Sequence, residues 1–393
     1  MPLPLYLLAV AVFAMGTSEF MLAGLVPDIA TSLDVSVGTA GLLTSAFAAG
    51  MIVGAPLMAA LARRWPAQAS LLSFVLVFAV AHVVGVLTTS FAVLLVTRVL
   101  AALANAGFLA VALSTAATLV GTDQKGRALA VLLSGTTVAT IAGVPGGAVL
   151  GTLLSWRATF WAIALLCVPA AFGVVKGIPT RAGRTPQGAP AGSSLRNEIA
   201  QLAMPRLLLV MLLGALVNAA TFATFTFLAP IVTDTAGLRD LWVPVALVLF
   251  GVGSFVGVTV AGRLSDQRPR IVIAIGGPLL LLGWVALAAL AAEPVALLLL
   301  VFVQGALSFA LGSTLIARVL YEAAGAPTMA GSYATAALNI GAAGGPVVAA
   351  MTLGADAGDL GPVWVSSLLV AIALLIALPL LRFTTPRVGQ AIR

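Results

Sequence analysis

Gly16-Thr17-Ser18-Glu19-Phe20-Met21-Leu22-Ala23-Gly24-Leu25-Val26-Pro27 closes the first long apolar segment of this chain and sets a carboxylate inside it. An ionisable side chain at bilayer depth costs several kcal/mol on most scales, and ~2.5–3.5 kcal/mol even on the lenient insertion scale. Such a group is either used or neutralised, by snorkelling to the headgroups or by a partner inside a helix bundle. The meaning of Glu19 therefore depends on what surrounds this segment.

Of the 393 residues, 61% are hydrophobic and 8% charged, against roughly 25% charged in soluble domains. The chain reads as an all-α polytopic membrane protein whose first partner is the lipid bilayer. One cysteine, Cys167, excludes a disulfide framework and a cysteine-rich metal site, and one histidine, His82, excludes a His-paired zinc motif. No metal and no cofactor are expected. A net charge of +7 would suggest nucleic acid in a soluble protein, but here its distribution matters more and no nucleic-acid partner is expected. No Lys or Arg precedes the first segment, so it does not read as a cleavable signal peptide.

Twelve segments are long enough to span a ~30 Å hydrocarbon core as helices. They are 5–27, 38–61, 67–88, 91–119, 127–153, 158–176, 203–232, 241–262, 271–291, 295–318, 328–352 and 362–382. Residues 177–202, rich in Gly, Pro, Ser and Arg, read as a linker between two six-helix bundles, 1–176 and 203–393. With the N-terminus in the cytoplasm, sixteen of the nineteen basic residues fall inside and only Arg157 and Arg239 outside. Arg98 alone lies within a span. The positive-inside rule then places both termini and the linker in the cytoplasm of a plasma-membrane protein.

The halves resemble each other. Gly54-Ala-Pro-Leu-Met-Ala-Ala-Leu-Ala-Arg63-Arg64-Trp-Pro66 recurs as Gly257-Val-Thr-Val-Ala-Gly-Arg263-Leu-Ser-Asp266-Gln-Arg268-Pro269, at the same end of the second segment of each half. Ala142-Gly143-Val-Pro145-Gly146-Gly147 has a counterpart in Ala342-Ala-Gly344-Gly345-Pro346. Parallel repeats of this kind build one large group of secondary transporters. Small residues at every fourth position (Ala46, Gly50, Gly54; Gly143, Gly147, Gly151; Gly253, Gly257, Ala261; Ala337, Gly341, Gly345) make smooth stripes on the second and fifth segment of each half. They are expected to form the seam on which the halves rock, with Pro145 and Pro346 permitting bends.

These motifs resemble the major facilitator superfamily, specifically its twelve-helix drug:proton antiporters, over nearly the whole chain. The Gly257–Pro269 stretch, with Arg263 and Asp266, resembles the loop motif that latches the cytoplasmic ends; the first copy has Arg63-Arg64 and no carboxylate. Gly143-Val-Pro145-Gly-Gly147 with Gly151 resembles the fifth-helix motif of exporters. Leu95-Val-Thr-Arg98 through Asn105-Ala-Gly107 resembles a fourth-helix motif built on a buried Arg. Some relatives carry an Asp four residues before Pro27; this chain has Ala23 there, so Glu19 acts from deeper in. The Gly16–Phe20 run looks most like actinobacterial chloramphenicol exporters. The resemblance implies that the fourth, seventh and tenth helices line a cavity, where Asn105, Asn218 and Gln304 would contact substrate. Phe222, Phe225 and Phe227 would suit an aromatic one; bridging between helices is the alternative for the three polar residues, and a lipid-facing or core role for the phenylalanines.

Geometry agrees with a Glu19–Arg98 pair. Both residues lie seven positions from the outer end of their segments, about 10 Å deep at 1.5 Å per residue. His82 lies at a similar depth, as a packed neutral imidazole or a proton relay, and Arg157 is expected to anchor an outer turn. No Gly-Lys-Ser/Thr phosphate loop occurs, and one His with one Cys cannot supply an intramembrane enzyme. The expected function is non-enzymatic: a monomeric antiporter that exports a small apolar drug, chloramphenicol first, in exchange for protons. A proton-coupled transporter of sugars or other metabolites, and a channel or receptor indifferent to the proton gradient, are the alternatives.

Overall fold

A computed structural model describes residues 2–61, 66–121, 124–178, 198, 200–265, 269–326, 329–353 and 358–383, and every regular element among them is helical. The first six long helices are α1 (Leu3–Phe20), α2 (Val37–Leu61), α3 (Ala67–Leu87), α4 (Phe91–Thr118), α5 (Lys125–Val138 continued by Val144–Leu153) and α6 (Trp156–Gly177). The second six are α7 (Pro205–Thr226), α8 (Trp242–Ser265), α9 (Pro269–Leu290), α10 (Pro294–Glu322), α11 (Ala330–Ala350) and α12 (Gly361–Phe383). Eleven of them are long and apolar enough to cross a membrane. The other, α11, is mostly Ala and Gly, and packs between α7 and α2. Leu165, Val168 and Phe172 on α6 and Leu368 and Leu375 on α12 stand more than half exposed. Apolar rows of that kind suit lipid and not water.

Three of the segments break where the sequence reads as continuous. Pro27 has no N–H and its ring crowds the carbonyl four residues back. The first segment accordingly leaves α geometry at Phe20, tightens into a 3₁₀ turn over Met21–Gly24, and restarts as a short helix over Val26–Ser32. In α5, a π turn over Ala139–Gly143 precedes Pro145 and absorbs the hydrogen bond that proline cannot donate. The seventh segment likewise runs through Leu228–Pro230 into a π turn at Ile231–Thr235.

Helices α1–α6 and α7–α12 form two bundles. One end of the fold carries Asp28, Asp34, Asp234, Asp240, Glu293 and Asp359 (the acidic face), and the other carries Lys125, Arg127, Lys176, Arg206 and Arg318 (the basic face). Several described contacts between the bundles lie toward the acidic face. A Cβ on Gly38 would lie 3.2 Å from the Ala350 carbonyl oxygen, and one on Gly24 would lie 3.0 Å from Leu247. Gly41 abuts the Phe227 ring, and Gly251 abuts the Thr140 carbonyl in the α5 π turn. The bundles are thus closed together on the acidic side.

The second and fifth helices of each half do meet across the seam, α2 with α11 and α5 with α8, but the stripe glycines expected to line it face inward. Gly50 and Gly54 face α4, Gly253 and Gly257 face the α10 backbone, and Gly341 and Gly345 face the α7 backbone, each within its own bundle. Gly143 admits the Thr17 side chain of α1, Gly147 meets Thr159 of α6, and Gly151 meets Leu25. The stripes let helix axes approach inside each half, and the halves meet on other residues. Gly147→Leu is therefore expected to lower thermal stability, by the ~1–3 kcal/mol typical of overpacking, since it displaces Thr159, whose hydroxyl donates to the Gly147 carbonyl at 2.7 Å. Gly251→Val is expected to leave stability near native while disfavouring the closed arrangement. Thermal unfolding in detergent, beside reactivity of a cysteine placed at the Gly41–Phe227 contact, distinguishes the two; equal behaviour of both variants would refute the assignment.

At the basic face, Glu198 is buried against the second bundle. Its Oε2 accepts from the Met329 N–H at 3.1 Å, at the N-terminus of α11 where a carboxylate is favoured, and its carbonyl accepts from the Tyr333 hydroxyl at 2.8 Å. Asp266, Arg63, Arg64 and most of the 177–202 stretch lie outside the described residues. Of the expected latch motif, Gly257 and the backbone of Arg263 lie within α8.

Candidate functional site

Three helices converge on the charge buried in α4. Arg98 is 1% exposed. Its Nη1 donates to Ser18 Oγ at 2.8 Å and its Nη2 to the Ser18 carbonyl oxygen at 2.7 Å, while its guanidinium carbon lies 4.5 Å from the centre of the Phe47 ring of α2. Nε has no partner. Ser18 Oγ is also 2.7 Å from Nε2 of His82 on α3, whose Nδ1 is 2.8 Å from the Phe78 carbonyl. A carbonyl can only accept, so Nδ1 carries the proton. Nε2 then accepts from the Ser18 hydroxyl, which in turn accepts from Arg98. Every hydrogen in the chain Arg98→Ser18→His82→Phe78 is used once, and the imidazole is neutral.

Glu19 follows Ser18 on α1 and points about 100° away from it around the helix. It is partly accessible, and the Asn105 side chain of α4 interacts with its carboxylate. Asn105 Nδ2 also lies 3.7 Å from the Met51 sulfur. Arg98 is near enough for its charge to act on Glu19, yet no ion pair joins them within 4.0 Å; among the described residues that distance is met only by Arg318 and Glu322. The expected Glu19–Arg98 pair acts through charge and not through contact: the two share one depth, and the terminal nitrogens of the guanidinium donate to Ser18. The sequence offered no sign of this, because a serine in an apolar helix reads as neutral.

Where the bundles meet, Phe20 from α1 lies 5.8 Å from Phe222 and 6.5 Å from Phe225 of α7. Phe225 packs on Phe250 of α8 at 4.6 Å, and Phe250 on Phe309 of α10 at 6.0 Å. A cavity of only ≈ 10 Å³ remains among Phe20, Thr140, Val144, Phe225, Leu247, Phe250, Ser254 and Phe309, about the least that holds a single water. Phe222 and Phe225 thus stand in an aromatic closure built on Phe20, the residue that follows Glu19. Phe20, Phe250 and Phe309 belong to it too, and scattered single phenylalanines gave no spacing signal for them.

The other candidates separate. Asn218 Nδ2 donates to the Leu338 carbonyl at 2.7 Å and bridges α7 to α11. Gln304 is fully buried, and its Nε2 donates to the Leu280 carbonyl at 3.2 Å, beside Gly283, bridging α10 to α9. Both have the bridging role. Phe227 is buried against Gly41 at the closure.

On the acidic face, a cavity of ≈ 420 Å³ opens between Pro27, Asp28, Thr31 and Thr152 of the first bundle and Thr233 and Asp240 of the second. Burial, and then the charge of Asp240, push the Asp28 carboxyl above its ordinary value. Arg157 anchors the nearby turn as expected. Its Nη1 donates to Ser32 Oγ at 2.9 Å, its Nε to the Val86 carbonyl at 3.1 Å and its Nη2 to the Thr88 carbonyl at 3.2 Å.

A buried arginine on the fourth helix, a carboxylate on the first and two six-helix bundles closed on one side form the architecture of a secondary transporter. The family model of the Major Facilitator Superfamily matches residues 8–346. The chain belongs to this superfamily. As a superfamily member it is 76% identical over 379 residues to a chloramphenicol resistance protein of Streptomyces lividans, covering 96% of each chain. It is 33% identical over 354 residues to the inner membrane transport protein YdhP of Escherichia coli (strain K12), covering 88% of this chain and 89% of the relative. Among solved structures it is similar to a bacterial homologue of the human lysosomal transporter Spinster. That match has a TM-score of 0.75 at 17% identity over 97% of this chain and 96% of the other. A second similar fold is the nucleoside transporter NupG, with a TM-score of 0.75 at 15% identity over 98% of this chain and 99% of the other. The superfamily fold accounts for the two bundles and for a multi-pass membrane protein.

Proposed function

We propose that this transporter exports chloramphenicol from the cytoplasm in exchange for protons. The observation that carries the reading is the 76% identity, spread over 96% of both chains, to a chloramphenicol resistance protein. Glu19 is the proton carrier, being the partly accessible carboxylate within a span, and Arg98 tunes it. Burial disfavours the charged form of a carboxyl group and a nearby guanidinium favours it, so protonation responds to small rearrangements around the two. Phe222 and Phe225 present aromatic faces to a nitrophenyl ring, and Asn105 presents an amide beside the carrier. Drug and proton oppose each other, a negative coupling that holds in both directions.

The acidic face is the outer one, and the conformation described, closed on that face, is the one that loads drug from the cytoplasm. The two bundles of a single chain supply both walls, so the unit is a monomer, bounded at 1–176 and 203–393 with 177–202 as the cytoplasmic linker; no cofactor is required. A cysteine replacing Ser193 is expected to resist impermeant thiol reagents in intact cells and to react in inverted vesicles. Ready labelling from outside would reverse the orientation.

The test of function is accumulation of labelled chloramphenicol in cells with and without the protein, before and after an uncoupler. Lower accumulation that the uncoupler abolishes is expected. Downhill flux indifferent to the uncoupler would indicate a channel, and unchanged accumulation would indicate another solute.

A further inference from the structure

The two residues that hold Arg98, Ser18 directly and His82 through it, have no part in the coupling reading above. We propose that Ser18 and His82 are positioning residues that clamp the Arg98 guanidinium off Glu19 when the bundles are closed on the acidic face. Movement of α1 then hands the guanidinium from Ser18 to Glu19.

The argument is geometric. Arg98 spends both terminal nitrogens on one residue, donating to Ser18 Oγ and to its carbonyl oxygen. The Ser18 hydroxyl has one proton, and His82 Nε2 takes it. That leaves the oxygen lone pairs facing Arg98, where they accept. The ring itself is fixed from behind by the Phe78 carbonyl on Nδ1 and flanked by Phe78 and Phe160, whose centroids lie 4.3 and 5.5 Å away. A rotated ring, or one bearing a second proton, would turn a donor toward Ser18 and compete with Arg98.

The groups around the clamp are few. Glu19 comes from α1, His82 from α3, Arg98 and the neutral Asn105 from α4; α2 contributes Phe47 and α6 contributes Phe160. Glu19 is the next residue after Ser18, so a turn of α1 by about one residue replaces one acceptor with the other. The 3₁₀ turn at Met21–Gly24 begins two residues beyond Glu19, so the helix that carries Ser18 and Glu19 ends at a change of winding, where a helix can turn about its axis. Arg98 Nε, which has no partner here, becomes available to the carboxylate in the exchange.

The consequence for transport rests on Glu19 as carrier; the clamp itself does not. Because His82 is the sole histidine, protein grown with ¹⁵N-histidine and purified into nanodiscs reports only this ring. The expected spectrum is a neutral ring with Nδ1 protonated, unchanged between about pH 6 and 8, where free histidine titrates. Ser18→Ala, which keeps the backbone acceptor, is expected to move the Nε2 resonance and leave Nδ1 nearly unmoved. It is also expected to shift the midpoint of chloramphenicol-induced proton release toward acid by about one pH unit, because Arg98 then stays with the carboxylate. An Nε2-protonated or titrating ring, or an Nε2 signal indifferent to Ser18→Ala, would overturn the clamp. So would expected ring signals with an unshifted midpoint in protein whose proton release Glu19→Gln abolishes. If native protein releases no protons while the ring behaves as expected, the coupling reading fails and the clamp stands.

Discussion

Glu19→Gln is expected to abolish uphill export of chloramphenicol while leaving a folded transporter. Glutamine keeps the size of the side chain and its capacity to pair with Asn105, but it cannot titrate. An exchanger whose proton site is permanently neutral still binds and releases drug, yet no proton gradient acts on it. The measurement pairs drug accumulation in cells with substrate-induced proton release from purified protein. Native protein releases protons on binding drug and the variant does not. Downhill exchange of drug for drug across vesicles should survive, because it needs only the conformational cycle. If Glu19→Gln still exports against a gradient, the carrier lies elsewhere, and Asp28, which lines the acidic-face cavity with Asp240, becomes the next residue to test.

Arg98→Ala is expected to have the larger cost in stability. It removes two hydrogen bonds from a charged donor, each worth ~1.5–3 kcal/mol, and the stack on Phe47. It also leaves the Ser18 carbonyl and hydroxyl without their donor at a fully buried position. Arg98→Lys keeps the charge but not the planar fork. One ammonium cannot reach both Ser18 oxygens in the same geometry, so partial activity and an intermediate unfolding temperature are expected. Thermal unfolding in detergent, with export measured in the same cells, orders the three proteins as native above Arg98→Lys above Arg98→Ala. A native unfolding temperature and native export for Arg98→Ala would show that the fork on Ser18 contributes nothing.

The class of fold was legible early, for a reason particular to membranes. Each span must satisfy its own backbone and present apolar side chains to lipid, so hydropathy and length mark the helices one at a time. The depth shared by Glu19, Arg98 and His82 followed from counting residues along antiparallel segments. Helix breaks were half visible: Pro27 and Pro145 announced a disturbance, while its form, a 3₁₀ turn in one case and a π turn in the other, depended on what packed alongside.

What the sequence by itself determined was the set of helices, their approximate ends, the duplicated halves and the presence of a carboxylate and a guanidinium at one depth. Periodicity and charge are properties of single segments, and single segments carry them. Which face each helix turns to which neighbour was decided only by the tertiary structure. Two residues adjacent in sequence, Ser18 and Glu19, point about 100° apart, and that angle gave Arg98 to a serine instead of to the acid. The same reason moved the glycine stripes from the seam between the halves into the interior of each half. A small residue permits close approach, but the identity of the approaching helix is set by the packing of all twelve.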